Sequence, residues 1–289
     1  IEMGISDFGE MTRLSEMVQP TICVLTIIGE CHLENLGDRD GVLKAKTEMF
    51  KNARKNADFI LNGDDDKLST VKTVNGKKPV FFGLDAKNDF YAKNIKNSGD
   101  GKVLATLCFD NNDIDVEIPA IGTYMVTNAL AAAAAGKLLG LTDEEIANGV
   151  ASYKTVGSRA NVIDTGKIKI IDDCYNANPT SVRASLDTLS NLDGRKVAIL
   201  GDMKELGSEE LKLHFDTGVY AKSKDIGTVI TVGELAKELA KGADGKAFDT
   251  IEDAKSEILK TIKSGDVVLV KASHSMQFEN IVEFLKQNF

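Results

Sequence analysis

The alternation in the second half of the chain constrains its fold more than any other feature. Apolar, strand-like runs at 168–172, 196–200, 228–232 and 266–270 are separated by stretches of helical periodicity near 180–191, 208–223, 234–241 and 252–263, with a last one at 276–287. Strands that read as continuous hydrophobic sequence are buried on both faces. When they alternate with helices of this length they build βαβ units around a parallel sheet. The reading is an α/β protein whose later part is a doubly wound, Rossmann-like domain. At 289 residues the chain exceeds what one hydrophobic core usually organises. Two domains are therefore expected, 1–155 and 156–289, with the boundary in 154–159.

The first half carries mixed signals. The run 21–28 is apolar and β-branched and ends at Gly29, the pattern of a buried strand. Leu43, Met49 and Ala53 recur at helical spacing, which predicts one helix over 40–56. A second short strand at 59–62 ends in Gly63-Asp64-Asp65-Asp66. From 70 to 120, short runs such as Val80-Phe81-Phe82 and 103–107 lie between Gly, Asn and Asp turns and predict antiparallel hairpins. A helix follows over 125–139, and Thr142 with Glu145 forms a capping box for the next. Ile1-Glu2 reads as the tail of an apolar strand, so the chain is expected to continue upstream of Ile1.

Composition narrows the function. Lys plus Arg number 35 against 44 Asp plus Glu, a net charge of −9. A general nucleic-acid binder needs a basic face to displace counterions, and none is expected here. Local binding of an anionic small molecule at a helix N-terminus or an Arg stays open. The cysteines, Cys23, Cys31, Cys108 and Cys174, have neither CxxC nor metal-finger spacing and read as reduced thiols. The most apolar stretch, 129–141, is alanine-rich, short and interrupted by Lys137, so no membrane insertion is expected. A soluble, cytoplasmic protein is the expectation.

In parallel α/β sheets ligands bind beyond the carboxyl ends of the strands. Glu2 follows the first stub, Gly29-Glu30-Cys31-His32 the next strand, and Asp172-Asp173-Cys174-Tyr175-Asn176-Ala177-Asn178-Pro179 the first strand of the second half. Gly201-Asp202-Met203 and Lys271-Ala272-Ser273-His274 follow later strands. Any one of these segments is explained by turn and cap chemistry; five together point to a functional edge. His32 with Glu2 would pair an imidazole with a carboxylate, suited to a divalent cation. By composition alone Lys46, inside a predicted helix, reads as a solvated side chain. No Gly-Lys pair is followed by Ser or Thr, so no phosphate-cradling P-loop occurs in the sequence.

Several segments, in order, resemble the Mur ligases: Glu2-Met3-Gly4 with Gly9-Glu10, Gly29-x-x-His32-Leu33-Glu34-x-Leu36-Gly37, Ala45-Lys46-x-Glu48-x-Phe50 and Asn128-Ala129-Leu130-Ala131-Ala132. Gly157-Ser158-Arg159, the Asp172–Pro179 segment with Ser181, Gly201-Asp202-Met203-x-Glu205-Leu206-Gly207 and Lys271-Ala272-Ser273-x-Ser275-Met276 continue the match. The resemblance implies the later part of a central ATP-binding ligase domain followed by the C-terminal ligase domain. It implies an ATP-dependent amide ligase of peptidoglycan precursor synthesis, acting through an acyl phosphate. The Tyr-Asn-Ala-Asn-Pro segment resembles the member that joins D-alanyl-D-alanine to UDP-N-acetylmuramoyl-tripeptide. Diaminopimelate- or lysine-adding and folylpolyglutamate-type ligases are the alternatives, and a non-catalytic binding protein is a third.

Carried over by motif, Glu2 and His32 would ligate Mg²⁺. Lys46 would be carbamylated to support the metal. Asn128 would meet the adenine of ATP, Arg159 its terminal phosphate and Asp173 its ribose. Asn176, Asn178 and Ser273 would lie near the dipeptide. The sequence departs from the family's pattern at Ile27, at Tyr124-Met125 in place of His-Asn, and at His274 in place of Arg. The family's UDP-sugar domain and P-loop would lie upstream of Ile1, so the chain alone is expected to be inactive, and a monomer is expected.

Overall fold

The structure, a computed structural model, describes residues 1–98 and 101–289. The chain divides into two units, Ile1–Pro119 with Thr123–Lys154, and Ala120–Gly122 with Thr155–Phe289.

The first unit opens with helix α1 (Glu10–Val18), strand β1 (Ile22–Leu25), a one-turn helix α2 (Leu33–Leu36) and α3 (Arg39–Thr47). A 3₁₀ segment (Glu48–Asn52) leads to β2 (Asp58–Asn62) and β3 (Val80–Phe82). These strands form a three-stranded parallel sheet in the order β1-β2-β3. Strands β4 (Tyr91–Asn97), β5 (Val103–Phe109) and β6 (Asn112–Ile118) make an antiparallel meander. Helices α4 (Tyr124–Leu138) and α5 (Asp143–Ala151) complete the unit. The alanines of α4 suit its burial: Ala129, Ala131, Ala133, Ala134 and Gly136 are buried, and small side chains let neighbouring elements approach closely. The Thr142–Glu145 capping box forms as the sequence predicts.

Four sequence expectations need correction here. Ile1 and Glu2 belong to no strand and are exposed. The strand predicted over 21–28 stops at Leu25, because beyond it backbone groups of Thr26 and Ile28 turn to side chains of Asn62 and Asp65. The helix predicted over 40–56 ends at Thr47, where the chain tightens into the 3₁₀ turn and the Glu48 carboxylate reaches back to the start of α1. Val80–Phe82 is no hairpin strand. It pairs parallel to β2, as a continuous apolar run should, and the flanking turn residues gave the misleading cue.

The second unit contains β7 (Asn161–Asp164), β8 (Lys169–Asp172), α6 (Pro179–Ser190), β9 (Arg195–Gly201), α7 (Glu210–Ser223) and β10 (Thr228–Val232). It continues with α8 (Ala236–Ala243), β11 (Lys246–Phe248), α9 (Ile251–Thr261), β12 (Asp266–Lys271) and α10 (Glu279–Asn288). The six strands run in the order β11-β10-β9-β12-β8-β7, with only β7 antiparallel. Strand alternation divides the apolar side chains between two cores. Val197, Ile199, Val268 and Val270 pack with α9 and α10 residues such as Ile258 and Ile281. Ala198, Leu200, Val267 and Leu269 pack on the other face with Val182, Leu186 and Leu239 of α6 and α8. This is the doubly wound arrangement that the periodicity predicts. The edge strands β7 and β11 are short and largely exposed, and the sequence pattern alone does not reveal them.

Two side chains fix the loops at the carboxyl edge of this sheet. The buried Asp202 Oδ1 accepts the Ala236 N–H at 2.8 Å and so starts α8. It lies against Gly233, whose φ is +120°; a Cβ there would sit 2.3 Å from Asp202 Oδ1. His214 is fully buried: Nε2 accepts the Met203 N–H at 2.9 Å and Nδ1 donates to the Glu210 carbonyl at 2.7 Å. Both ring nitrogens of the neutral imidazole are thus satisfied, and burial lowers the His214 pKa.

A group whose pKa is lowered on folding stabilises most above its unfolded value, near about 6.5 for histidine, and loses that contribution as the pH falls toward the folded value. Urea unfolding followed from pH 7.5 down to 5 should show falling stability, and His214→Gln should flatten that slope. Glu48 gives a second expectation. Its carboxylate accepts the Gly9 N–H, the Thr12 N–H and the Thr12 hydroxyl. Glu48→Ala should lower the stability of the first unit by about 1–3 kcal/mol, read as a lower urea midpoint.

Candidate functional site

The carboxyl end of β1 is held by its neighbours group by group. Asn62 Nδ2 donates to the Thr26 carbonyl at 2.9 Å, and Lys46 Nζ to the Ile27 carbonyl at 3.3 Å. The Ile28 N–H donates to the buried Asp65 Oδ2 at 2.8 Å, and Arg39 Nε to the Ile28 carbonyl at 2.8 Å. Arg39 also pairs with Asp66, and Asp65 Oδ1 accepts the Lys67 and Leu68 N–H groups. The turn after β2 therefore shapes the loop after β1. That is the loop on which the sequence placed its first candidate residues.

His32 ends this loop at φ 54°, as the N-terminal boundary of α2, half-buried. Lys46 reaches the same loop from the last turn of α3 through its bond to Ile27. The structure thus brings Lys46 and His32 to one strand end. Glu2 lies exposed in the segment ahead of α1, and among the described residues no hydrogen bond or ion pair joins it to either. Glu10 is a carboxylate within electrostatic reach of His32. Its pKa is lowered chiefly by the Ser6 and Asp7 N–H groups, and further by the charges of Arg13 and His32. Asn35 Nδ2 donates to the Ser6 carbonyl at 3.2 Å, fastening this turn to α2.

Among the described residues no group of three or more His, Cys, Asp and Glu side chains gathers as a metal cage. Mg²⁺ seldom needs one, since it commonly takes one or two carboxylates and fills its shell with water and substrate phosphate. A carboxylate with an imidazole fits that pattern. A lysine ammonium does not, because it repels the cation, so Lys46 fits only as its carbamate. Three of the four cysteines offer no alternative nucleophile. Cys23, Cys108 and Cys174 are buried, and burial raises all three pKa values, Cys23 to about 11.

In the second unit, Asp173 and Lys271 form an ion pair at the ends of β8 and β12, with Nζ 2.7 Å from Oδ2 and Lys271 only 3% exposed. Lys271 also donates to the Asn176 carbonyl at 2.8 Å. Asp173 accepts the Ser185 hydroxyl at 2.6 Å and the Ala160 N–H at 3.1 Å. Ser273 Oγ accepts the Lys204 N–H at 2.9 Å, while the Ser273 N–H donates to the Asp202 carbonyl. Asn178 caps α6, its Oδ1 accepting the Ser181 N–H at 2.8 Å, with Pro179 in the first turn. Asn176 is exposed, its Oδ1 turned to the Ala177 N–H. Arg159 is exposed, its guanidinium carbon 3.9 Å from the centre of the Tyr175 ring. Asp173, Asn176, Asn178, Ser273 and Arg159 thus lie along the carboxyl edge of one sheet, as the topology requires.

Asn128 is elsewhere, on α4 in the first unit. It lines a cavity of about 360 Å³ between α4 and α5, bordered by Met125, Ala132, Ile146, Val150 and Tyr153. Its Nδ2 lies 3.5 Å from the Met125 sulfur.

Sequence reasoning missed Lys271, Asp65 and Glu48 as organisers of the site. Lys271 and Glu48 stand inside quoted motifs, and Asp65 in a run of acids that read as a turn. A charged residue set between apolar ones, as Lys271 is between Val270 and Ala272, is the cue that would have found the first.

Residues 1–136 match the Mur ligase middle domain, and residues 158–274 the Mur ligase, glutamate ligase domain. The chain is 34% identical over 99% of its length to the UDP-N-acetylmuramoyl-tripeptide–D-alanyl-D-alanine ligase of Bacillus subtilis (strain 168), and 32% identical over 100% to that of Escherichia coli (strain K12). It spans 63% and 65% of those relatives' lengths. Among solved structures, MurF from Acinetobacter baumannii superposes with a TM-score of 0.93 at 29% identity, over 99% of this chain and 64% of that one. The MurF ligase of Thermotoga maritima, in complex with ADP, gives 0.89 at 27%, over 99% and 66%. With both domains matched in order and nearly the whole length aligned, the chain belongs to the Mur ligase family.

Proposed function

We propose that this chain is the ATP-dependent part of a ligase that joins D-alanyl-D-alanine to UDP-N-acetylmuramoyl-tripeptide in the cytoplasm, acting as a monomer without nucleic-acid partners. The observation that carries the reading is the delivery of Lys46 to the carboxyl end of β1, onto the loop that bears His32. The names of the relatives support the choice of acceptor and dipeptide.

The reaction transfers the terminal phosphoryl group of ATP to the tripeptide carboxylate, releasing ADP. The dipeptide amine then attacks the acyl phosphate, forms the amide and expels phosphate. The difficulty is anion meeting anion, so positive charge must be placed beforehand. Bound Mg²⁺ would supply that neutralisation. Glu2 and His32 would hold it, and carbamylated Lys46 would present a second anionic oxygen from the rigid α3. Asn128, on the wall of the α4–α5 cavity, would meet the adenine, whose flat apolar faces suit Met125 and Ala132. Arg159 would meet the terminal phosphate with its fork of donors. Asp173 would meet the ribose through the acceptor capacity that its three hydrogen bonds leave. Asn176, Asn178 and Ser273 would border the dipeptide; Asn178 does so while capping α6.

The test is phosphate release from ATP by the native gene product, given UDP-N-acetylmuramoyl-tripeptide and each amine in turn. Release dependent on D-alanyl-D-alanine is expected. Dependence on diaminopimelate, lysine or glutamate would reassign the ligase, and no release with any amine would favour a binding protein. Lys46→Ala should lower turnover by about 10²-fold or more, since it removes charge placement at the transferring group. Unchanged turnover in that variant would remove Lys46 from the site.

A further inference from the structure

Tyr175 is the least explained aromatic side chain of the second unit. It is 51% exposed at the carboxyl edge of the sheet, where an aromatic ring gains little from burial. Among the described residues its hydroxyl makes no hydrogen bond, so the hydroxyl does not account for its place. The ring lies tilted against His274, with centroids 6.2 Å apart, and makes its closer contact with Arg159, whose guanidinium carbon lies 3.9 Å from the ring centre. A planar guanidinium over an aromatic face is attracted by the ring's negative quadrupole while its N–H donors point outward around the rim.

Arg159 in turn has no other anchor for its side chain: among the described residues it makes no ion pair or hydrogen bond. Its backbone, by contrast, is pinned on both sides. The Tyr175 N–H donates to the Ser158 carbonyl at 3.0 Å, and the Ala160 N–H donates to Asp173 Oδ1 at 3.1 Å. Asp173 is itself held by Lys271 and Ser185. Backbone and side chain are therefore registered against the same segment, 173–175. A long side chain with a fixed base and a single face contact is biased toward one orientation and keeps its donors available. That suits a cation that must receive a polyphosphate without first breaking a salt bridge.

We propose that Tyr175 is a positioning residue that holds the Arg159 guanidinium, by its ring face and not by its hydroxyl, in the orientation that receives the terminal phosphate of ATP. The inference rests on the reading that Arg159 meets that phosphate.

The experiment is steady-state kinetics of the native gene product with ATP varied, for Tyr175→Phe, Tyr175→Leu, Arg159→Ala and the Arg159→Ala/Tyr175→Leu double variant. Tyr175→Phe keeps the ring and should leave kcat/KM for ATP within about twofold of the parent. Tyr175→Leu should lower kcat/KM for ATP roughly two- to fivefold, the range of a single exposed cation–π contact, with KM for the dipeptide unchanged. In the Arg159→Ala background Tyr175→Leu should have no further effect. An equal loss in Tyr175→Phe, a loss confined to dipeptide kinetics, or a full additive loss in the double variant would each overturn the inference. If Arg159→Ala is impaired with ATP while Tyr175→Leu is silent, only this inference fails. If Arg159→Ala leaves ATP kinetics unchanged, the phosphate reading of Arg159 fails and takes the inference with it.

Discussion

The buried ion pair between Lys271 and Asp173 is the interaction on which the carboxyl edge of the second unit's sheet depends. Removing two charges from water is costly, and Coulomb attraction alone offsets it only when the remaining hydrogen-bonding capacity is also used. Here it is used. Lys271 adds the Asn176 carbonyl, and Asp173 adds the Ser185 hydroxyl and the Ala160 N–H. One pair therefore connects β12, the loop after β8, the first turns of α6 and the segment entering β7. Loss of either partner would strand an ion among groups built around it, and the loop geometry would go with it.

The first unit solves the same problem by different chemistry. No buried ammonium sits at the end of β1. Four backbone groups from Thr26 to Ile28 are each matched to a different side chain, from Asn62, Lys46, Asp65 and Arg39. Such an arrangement spreads the energy over several modest bonds, and the loop keeps its path if one is weakened. Glu48 extends the logic to α1, where a carboxylate facing the first N–H groups of a helix also meets the positive end of its dipole. The side chain that ends α3 thus begins α1, and the turn bearing Glu10 is placed by a residue two positions after Lys46.

Much of the fold was legible because buried parallel strands and amphipathic helices leave strong periodicities. The strands at 228–232 and 266–270, and the helices between, appear almost residue for residue as β10, β12, α8 and α9. The illegible parts are those whose shape is decided by contacts distant in sequence. Nothing local in 40–56 announces that Glu48 will leave its helix to serve α1, and nothing in Val80–Phe82 says that its partner is β2. The site divides in the same way. Polar residues at strand ends were visible as types, and the family's motifs gave them names. Yet Lys271 looks like a strand terminus until Asp173 is placed beside it, and Asn178 is a helix cap, a role that any sequence reading would accept as sufficient.

Gly233 closes off a route of change. Its backbone conformation disfavours a side chain, and the space a Cβ would need is already filled by the carboxylate that starts α8. A substitution there must displace Asp202, and a larger residue at 202 meets the same wall from the opposite side. The two positions are therefore coupled: a side chain at 233 needs a different residue at 202, and with it the cap that starts α8 is lost. In the turn after β9 the side chains with room to differ are the exposed Lys204 and Glu205, while Met203 and Leu206 are buried in the core.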